Sequence, residues 1–163
     1  MKPPPFSYTQ AKSVEDALAA LAVEGDDCKI LAGGQSLIPM MNLRLTYPTR
    51  LLDINGLTML DYIQGENGEL RIGGLSRHST LKGSALVARH FPLMTSAYDY
   101  VAHKPVRNRG TIGGNLSHAD PSSEMPSVML AGDAVMVASS ERGERQIKAA
   151  NFFLGILETA LEP

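Results

Sequence analysis

The first third of the chain alternates between strand-like and helix-like patterns. Phe6 and Tyr8 alternate with polar residues, as in a short edge strand. Apolar residues at positions 14, 18 and 21 have helical spacing, with Ser13 placed to cap this helix and Gly25 to end it. Further predicted elements are a buried strand at 29–32, a helix capped by Ser36 with Met40, Met41 and Leu43 in the core, and a strand at 51–54. This pattern predicts a small β/α lobe over residues 1–55.

A different pattern begins at residue 57, where short strands and interrupted helices predominate. Strands at 61–64 and 69–72, joined by a turn, predict an antiparallel hairpin. A second pair of strands is predicted at 134–138 and 145–148. The predicted helical segments are 79–93, interrupted at Pro92, then 96–103, 124–130 and 152–161. Residues 56–163 are therefore predicted to form a second lobe, mainly an antiparallel sheet with helices.

Composition narrows the classes of function. The chain of 163 residues has a net charge of −2, which argues against nucleic acid, because that partner needs clustered Lys and Arg. No apolar run approaches the roughly 20 residues that cross a bilayer, and the N-terminal residues lack the apolar core of a signal peptide. We therefore expect a cytoplasmic protein without membrane insertion. The single cysteine, Cys28, excludes an internal disulfide or an iron–sulfur cluster held by this chain alone, and the histidines lack metal-ligand spacing.

Two similar stretches, each with an adjacent pair of glycines, carry the candidate chemistry. Gly33-Gly34 and Gly113-Gly114 each follow an apolar lead-in and precede a small polar residue. Consecutive backbone N–H groups in such turns form a concave surface that suits phosphate oxygens. A hydroxyl and an amide side chain accompany each pair, so the two stretches together suggest one pyrophosphate held from two sides. Taken singly, a Gly-Gly pair is more often only a tight turn, and neither stretch has the strict spacing of a dinucleotide or P-loop motif.

The two stretches resemble the flavin-binding signatures of the FAD-carrying medium subunits of molybdenum hydroxylases. They read ILAGGQSLIPMMNLR over residues 30–44 and GTIGGNLSHADP over residues 110–121. Within that superfamily the chain is most similar to the medium subunit of aerobic carbon monoxide dehydrogenase. The resemblance extends to LDIN at 52–55, LRIG at 70–73, RH at 77–78 and FFLG at 152–155. It implies an α+β, two-lobed FAD-binding fold of the PCMH/vanillyl-alcohol-oxidase type with lobes 1–55 and 56–163, and without the third lobe that usually follows.

The resemblance also implies a set of FAD-binding residues. These are Ala32, Gly33, Gly34, Gln35, Ser36, Leu37, Thr111, Ile112, Gly113, Gly114, Asn115, Asp120 and Glu124. The glycines would offer backbone amides, and Ser36 and Thr111 would offer hydroxyls. Relatives commonly have an aspartate nine positions after Asn115 that contacts the sugar of the cofactor; here that position is Glu124, and Asp120 is the alternative. Arg107 and Arg109 have three interpretations: balancing the charge of FAD, contacting a partner subunit, or lying in a solvated loop.

The function implied by the resemblance is electron transfer. Electrons would leave a molybdenum-cofactor large subunit, pass through a 2Fe-2S small subunit, reach FAD on this chain and continue to an external acceptor. Because the flavin supplies the redox chemistry, we expect no catalytic side chain and no metal ligand here. Two alternatives stay open. One is a stand-alone FAD oxidase, and the other is a truncated assembly module that no longer retains FAD.

Overall fold

The computed structural model describes residues 2–162 and opens with a three-stranded parallel sheet. Its strands are β1 (Ser7–Gln10), β2 (Cys28–Leu31) and β3 (Arg50–Asp53), with β3 in the centre. Helix α1 (Val14–Glu24) lies between β1 and β2 in the chain, and helix α2 (Leu37–Asn42) between β2 and β3. Because the strands are parallel, their carboxyl ends meet at one edge of the sheet, and the segments that follow β2 and β3 become neighbours there.

Local sequence signals set the ends of α1. The Ser13 hydroxyl accepts a hydrogen bond from the backbone N–H of Asp16, and Gly25 ends the helix with a φ of 52°. Both predictions are confirmed. The helix buries Ala17 in a core cluster that also contains Cys28, which is only 3% exposed.

Three details of this region differ from the sequence predictions. Strand β2, predicted as buried, is an edge strand, and Ile30 leaves 45% of its surface exposed. Met41 in α2 is completely buried, but Leu43, which follows the helix, is 55% exposed. Ser36 precedes α2 with a backbone that is already helical, so its side chain makes no capping hydrogen bond. Apolar spacing shows which residues can be buried, but it does not show how many neighbours a strand or helix will have.

Short helices and two-stranded antiparallel sheets make up residues 57–162. The strands are β4 (Ile63–Glu66) with β5 (Glu69–Ile72), β6 (Val135–Ser140) with β7 (Gly143–Lys148), and β8 (Phe153–Gly155) with β9 (Glu158–Thr159). The helices are α3 (His78–Lys82), α4 (Ala85–His90), α5 (Pro92–Ala97), α6 (Lys104–Arg109), α7 (Ile112–His118), α8 (Glu124–Ala131) and α9 (Ala149–Phe152). The first two hairpins and α8 confirm the sequence predictions, with strand ends shifted by one or two residues.

Two helix predictions in this part are wrong. The segment 152–161 forms the β8–β9 hairpin, because Leu157 takes a left-handed φ of 59° in the turn and donates its N–H to the carbonyl of Ala119. The segment 96–103 is not a continuous helix either. Helix α5 ends at Ala97, Ala102 takes a φ of 42°, and α6 then begins with Pro105 in its first turn.

A short segment, residues 74–78, which includes a turn at Gly74 and Leu75, joins the two parts of the molecule. Leu75 packs in the same core cluster as α1, while His78 begins α3 beside the larger core. The backbone of this segment pairs with the residues around the start of α7: Ile112 donates to Ser76 over 3.0 Å, and His78 donates to Gly110 over 3.1 Å. The start of α7 is thus held close to the parallel sheet. Within residues 2–162, every helix is too short or too polar to span a membrane.

Candidate functional site

The first glycine loop, residues 32–36, connects the carboxyl end of β2 to the start of α2. Within residues 2–162, none of the backbone N–H groups of this loop has a hydrogen-bond acceptor. Gly34 has a φ of 68°, a left-handed conformation that a side chain would strain. A run of free N–H groups at the carboxyl edge of a parallel sheet is typical of a site that binds an anion.

The side chains of this loop do not use up those N–H groups. Gln35 turns back on the loop and donates its side-chain N–H to the carbonyl of Gly33 over 3.1 Å. The side chain of Ser36 is exposed, and Leu37 begins α2 half-buried. The hydroxyl of Ser36 therefore remains available to a ligand.

A cleft of about 440 Å³ opens beside the first glycine loop. Its lining residues are Leu31, Ala32, Gly33, Gly34, Gln35, Ile38, Pro39, Asn42, Asp53, Asn55 and Arg109. Of these, Arg109 precedes the second glycine pair, whereas Asp53 ends strand β3 and Asn55 follows it. The cleft combines backbone amides with polar and apolar side chains, a combination that can take a ligand with both a phosphate and an apolar portion.

The second glycine segment, residues 111–115, is the first turn of helix α7 rather than an open loop. Thr111, only 2% exposed, caps the helix by accepting a hydrogen bond from the N–H of Gly114 over 3.2 Å. The N–H of Gly113 donates to the carbonyl of Gly74 over 2.9 Å. Ile112 is buried in the core. The expectation that Gly113 and Gly114 offer free amides is therefore wrong, because both N–H groups are bonded within the protein.

The two glycine stretches meet directly. A Cβ atom added to Gly33 would lie 2.6 Å from the carbonyl oxygen of Arg109 and 2.8 Å from the Cα of Gly110. Such separations leave no space for a side chain, so the first loop can approach the second segment only through a glycine. The fold thus brings together two stretches that are almost eighty residues apart in the sequence.

The remaining predicted site residues lie further along α7 and at the start of α8. Asn115 exchanges hydrogen bonds with Ser123, over 2.8 Å from its side-chain nitrogen and 3.1 Å to its side-chain oxygen. Asp120 accepts bonds from the hydroxyl and the N–H of Ser122, which lower the pKa of its carboxyl. Glu124 is the first residue of α8 and is half-buried. Neither Asp120 nor Glu124 lines the cleft.

A polar network beside the cleft contains residues that were not among the predicted FAD-binding residues. Asp53 accepts a 2.5 Å hydrogen bond from the Tyr8 hydroxyl and further bonds from Asn55. Arg77 donates to the side-chain oxygen of Asn55 over 2.6 Å and to the carbonyl of Arg109. Burial raises the pKa of Asp53, but these hydrogen bonds and the charge of Arg77 outweigh burial and lower it. The sequence signal for this network was the position of Asp53 and Asn55 at the carboxyl end of a predicted strand.

Comparison with known proteins identifies relatives of the whole chain. Residues 4–163 match the family described as the FAD binding domain in molybdopterin dehydrogenase. The chain is 44% identical over 163 residues to the alpha subunit of the 6-hydroxypseudooxynicotine dehydrogenase complex of Paenarthrobacter nicotinovorans, covering 100% of this chain and 55% of that protein. It is 41% identical over 162 residues to the carbon monoxide dehydrogenase medium chain of Hydrogenophaga pseudoflava, covering 99% of this chain and 56% of that one.

Solved structures agree with the sequence relatives. A chain of carbon monoxide dehydrogenase from Hydrogenophaga pseudoflava superposes with a TM-score of 0.97 at 42% identity, covering 99% of this chain and 56% of that chain. Quinoline 2-oxidoreductase from Pseudomonas putida gives a TM-score of 0.96 at 40% identity, covering 99% of this chain and 56% of that chain. The α+β fold expected from the resemblance is confirmed, and the chain spans slightly more than half the length of these relatives. By sequence and by fold, the chain belongs to the family of FAD-binding domains found in molybdopterin dehydrogenases.

Proposed function

We propose that this chain holds FAD as part of the medium subunit of a molybdenum hydroxylase, with the pyrophosphate of FAD bound by the first glycine loop. The observation that carries this proposal is the run of backbone N–H groups in residues 32–36 that have no acceptor among the described residues. A pyrophosphate has several oxygens that accept hydrogen bonds and carries negative charge. It therefore suits a row of free N–H donors with a guanidinium nearby.

The residues present fit this group in charge as well as in hydrogen bonding. Arg109 lines the cleft, and the guanidinium of Arg77 bonds the side chain of Asn55, another lining residue. Asp53 lines the same cleft, but its carboxylate is occupied by Tyr8 and Asn55 and lies near Arg77. The negative charge of Asp53 is thus largely compensated, and the net field in the cleft does not oppose an anion.

Each predicted residue has a role in this proposal. Ala32, Gly33, Gly34, Gln35 and Ser36 donate to phosphate oxygens, with Leu37 packing behind them. Thr111, Ile112, Gly113 and Gly114 support the site by fixing the start of α7 against residues 74–78. Asn115 presents an amide on the same helix. Glu124, whose side chain makes no hydrogen bond within the described residues, binds a sugar hydroxyl, whereas Asp120 stabilises its own turn.

The proposed work of the complete complex is electron transfer. FAD, when bound, exchanges electrons one or two at a time. We propose that they arrive from a 2Fe-2S small subunit, which is supplied by a molybdenum-cofactor large subunit, and continue to an external acceptor. The chain contributes binding and orientation, and we expect it to be inactive without its partner subunits.

Titration with flavins tests this proposal. FAD added to the purified chain should bind at about one per chain, seen as quenching of flavin fluorescence, and riboflavin, which lacks the pyrophosphate, should bind far more weakly. Equal affinity for FAD and riboflavin would show that the pyrophosphate does not contribute to binding. Absence of FAD binding at any reachable concentration would favour an assembly module that retains no flavin.

A further inference from the structure

Arg77 links the two glycine stretches without belonging to either. Its guanidinium donates from Nη2 to the side-chain oxygen of Asn55 over 2.6 Å and from Nη1 to the carbonyl oxygen of Arg109. A guanidinium presents its donors in a fixed planar fork, so these two bonds hold their acceptors at a set separation. Arg77 is half-buried and does not line the cleft itself.

Asn55 continues this link to the first glycine loop. Its side-chain nitrogen donates to the carbonyl of Ala32 over 2.8 Å and to that of Leu31 over 3.3 Å. The same nitrogen also donates to Asp53 over 2.6 Å. The amide orientation is determined by its partners, because a rotated amide would turn its oxygen to these acceptors and its N–H groups to the guanidinium.

The link matters because the backbones of the two stretches are not hydrogen-bonded to each other. Within the described part of the chain, no backbone hydrogen bond joins residues 32–36 to residues 109–115. The carbonyl of Arg109 that receives Arg77 is the one that Gly33 packs against. The polar connection between the stretches therefore passes from Ala32 through Asn55 and Arg77 to Arg109.

We propose that Asn55 and Arg77 form a clasp that fixes the spacing between the first glycine loop and the second glycine segment, and so sets the affinity for FAD. The proposal rests on the proposed function. Arg77 is a positioning residue in this account, acting on a cofactor that it does not touch. A site held in its bound shape before the ligand arrives binds more tightly, since less ordering is left for the binding step.

The experiment compares Arg77→Met with Arg71→Met as a matched control. Arg71 is an exposed arginine on β5 whose guanidinium lies 3.6 Å from the carboxylate of Glu69. FAD affinity is measured by fluorescence titration under conditions in which all variants are folded. It should fall about tenfold or more in Arg77→Met and remain unchanged in Arg71→Met. Arg77→Lys, which keeps the charge but cannot bond both acceptors as a fork, should recover only part of the affinity.

Two further measurements separate a clasp from a general loss of stability. If Asn55 and Arg77 act as one unit, adding Asn55→Ala to Arg77→Met should weaken FAD binding little beyond the single variants. In the ligand-free chain, the NMR order parameters of residues 32–36 should fall in Arg77→Met and not in Arg71→Met.

The possible outcomes distinguish the clasp from the function on which it rests. Arg77→Met with unchanged FAD affinity, or fully additive effects of the two substitutions, would overturn the clasp while leaving FAD binding intact. An unmodified chain that binds no FAD would overturn the proposed function and, with it, the effect of the clasp on affinity. Unchanged order parameters in Arg77→Met would overturn the clasp whether or not FAD binds.

Discussion

The backbone N–H of Gly113 donates a hydrogen bond to the carbonyl of Gly74 over 2.9 Å. A Cβ on Gly113 would lie 2.7 Å from that carbonyl oxygen and 2.9 Å from the Gly74 Cα, whereas a Cβ on Gly74 would lie 3.9 Å from the Gly113 Cα. The contact is therefore asymmetric. The surroundings leave no space for a side chain at Gly113, but they do at Gly74.

This asymmetry gives a paired prediction for stability. Gly113→Ala should lower the free energy of unfolding by about 1–3 kcal/mol, because the clash outweighs the gain of about 1 kcal/mol that alanine brings to a helix. Gly74→Ala should change it by less than about 0.5 kcal/mol. Urea unfolding of both variants measures the difference. Equal stability of the two would show that the contact does not constrain the start of α7.

Gly33 gives a separate prediction for FAD binding. Its added Cβ would collide with the Arg109–Gly110 peptide, so Gly33→Ala should push the first glycine loop away from the second glycine segment and weaken FAD binding at least tenfold. Gly83→Ala is the control, since its Cβ would meet only ordinary contacts, at 3.6 Å or more. Fluorescence titration measures both. An unaffected Gly33→Ala variant would mean that the two stretches need not touch for FAD to bind.

The glycine stretches were predictable from the sequence, whereas the way they cooperate was not. The position of Gly33-Gly34 after a strand and before a helix indicated an anion-binding loop, and the structure has that order. The second pair looked the same in the sequence. It is nonetheless a helix start whose N–H groups bond to Thr111 and Gly74, and Gly74 lies 39 residues before Gly113 in the chain. Only the fold reveals partners at such separations.

The wrong helix predictions have the same kind of cause. Phe152 and Leu161 bound an apolar stretch of helical length, but a backbone bond from Leu157 to Ala119 and one from Ala160 to Phe152 favour a hairpin. Similarly, Asn55 and Arg77 are 22 residues apart, and no local pattern indicates that they are bonded. Local periodicity predicted the individual strands β1, β2 and β3 and helix α1 well, since residues close in sequence determine these patterns.

Asp120 and Glu124 can be distinguished by their effects on FAD affinity. The carboxylate of Asp120 already accepts two hydrogen bonds from Ser122, and the carboxylate of Glu124 accepts none within the described residues. If Glu124 binds a sugar hydroxyl, Glu124→Gln should weaken FAD binding about tenfold, while Asp120→Asn should lower stability and leave affinity unchanged. Isothermal titration of both variants measures this. The opposite pattern would assign the sugar contact to Asp120.

The buried His78 makes stability depend on pH. Burial, together with the charge of Arg107, lowers the pKa of His78 to about 4 from its ordinary value of 6.5, and its ring faces the Tyr98 hydroxyl at 3.2 Å. Between these values the unfolded chain binds more protons than the folded one, so stability is present above pH 6.5 and is lost as the pH falls toward 4. The loss should be on the order of 3 kcal/mol.

A substitution isolates this contribution from that of the carboxylates. In His78→Gln, the free energy of unfolding should fall less between pH 6.5 and 4 than in the unmodified chain. His103→Gln, at an exposed position, should retain the full fall. Urea unfolding across this pH range measures the three profiles. Parallel profiles for His78→Gln and the unmodified chain would exclude His78 as the cause.

The most direct test of the account follows the amide signals of the first glycine loop during titration with FAD. Two-dimensional ¹H–¹⁵N NMR of the chain should show the largest shifts at Gly33, Gly34 and Gln35, with little change there when riboflavin replaces FAD. FAD that binds while these three signals stay in place would contradict the account, because the pyrophosphate would then lie elsewhere.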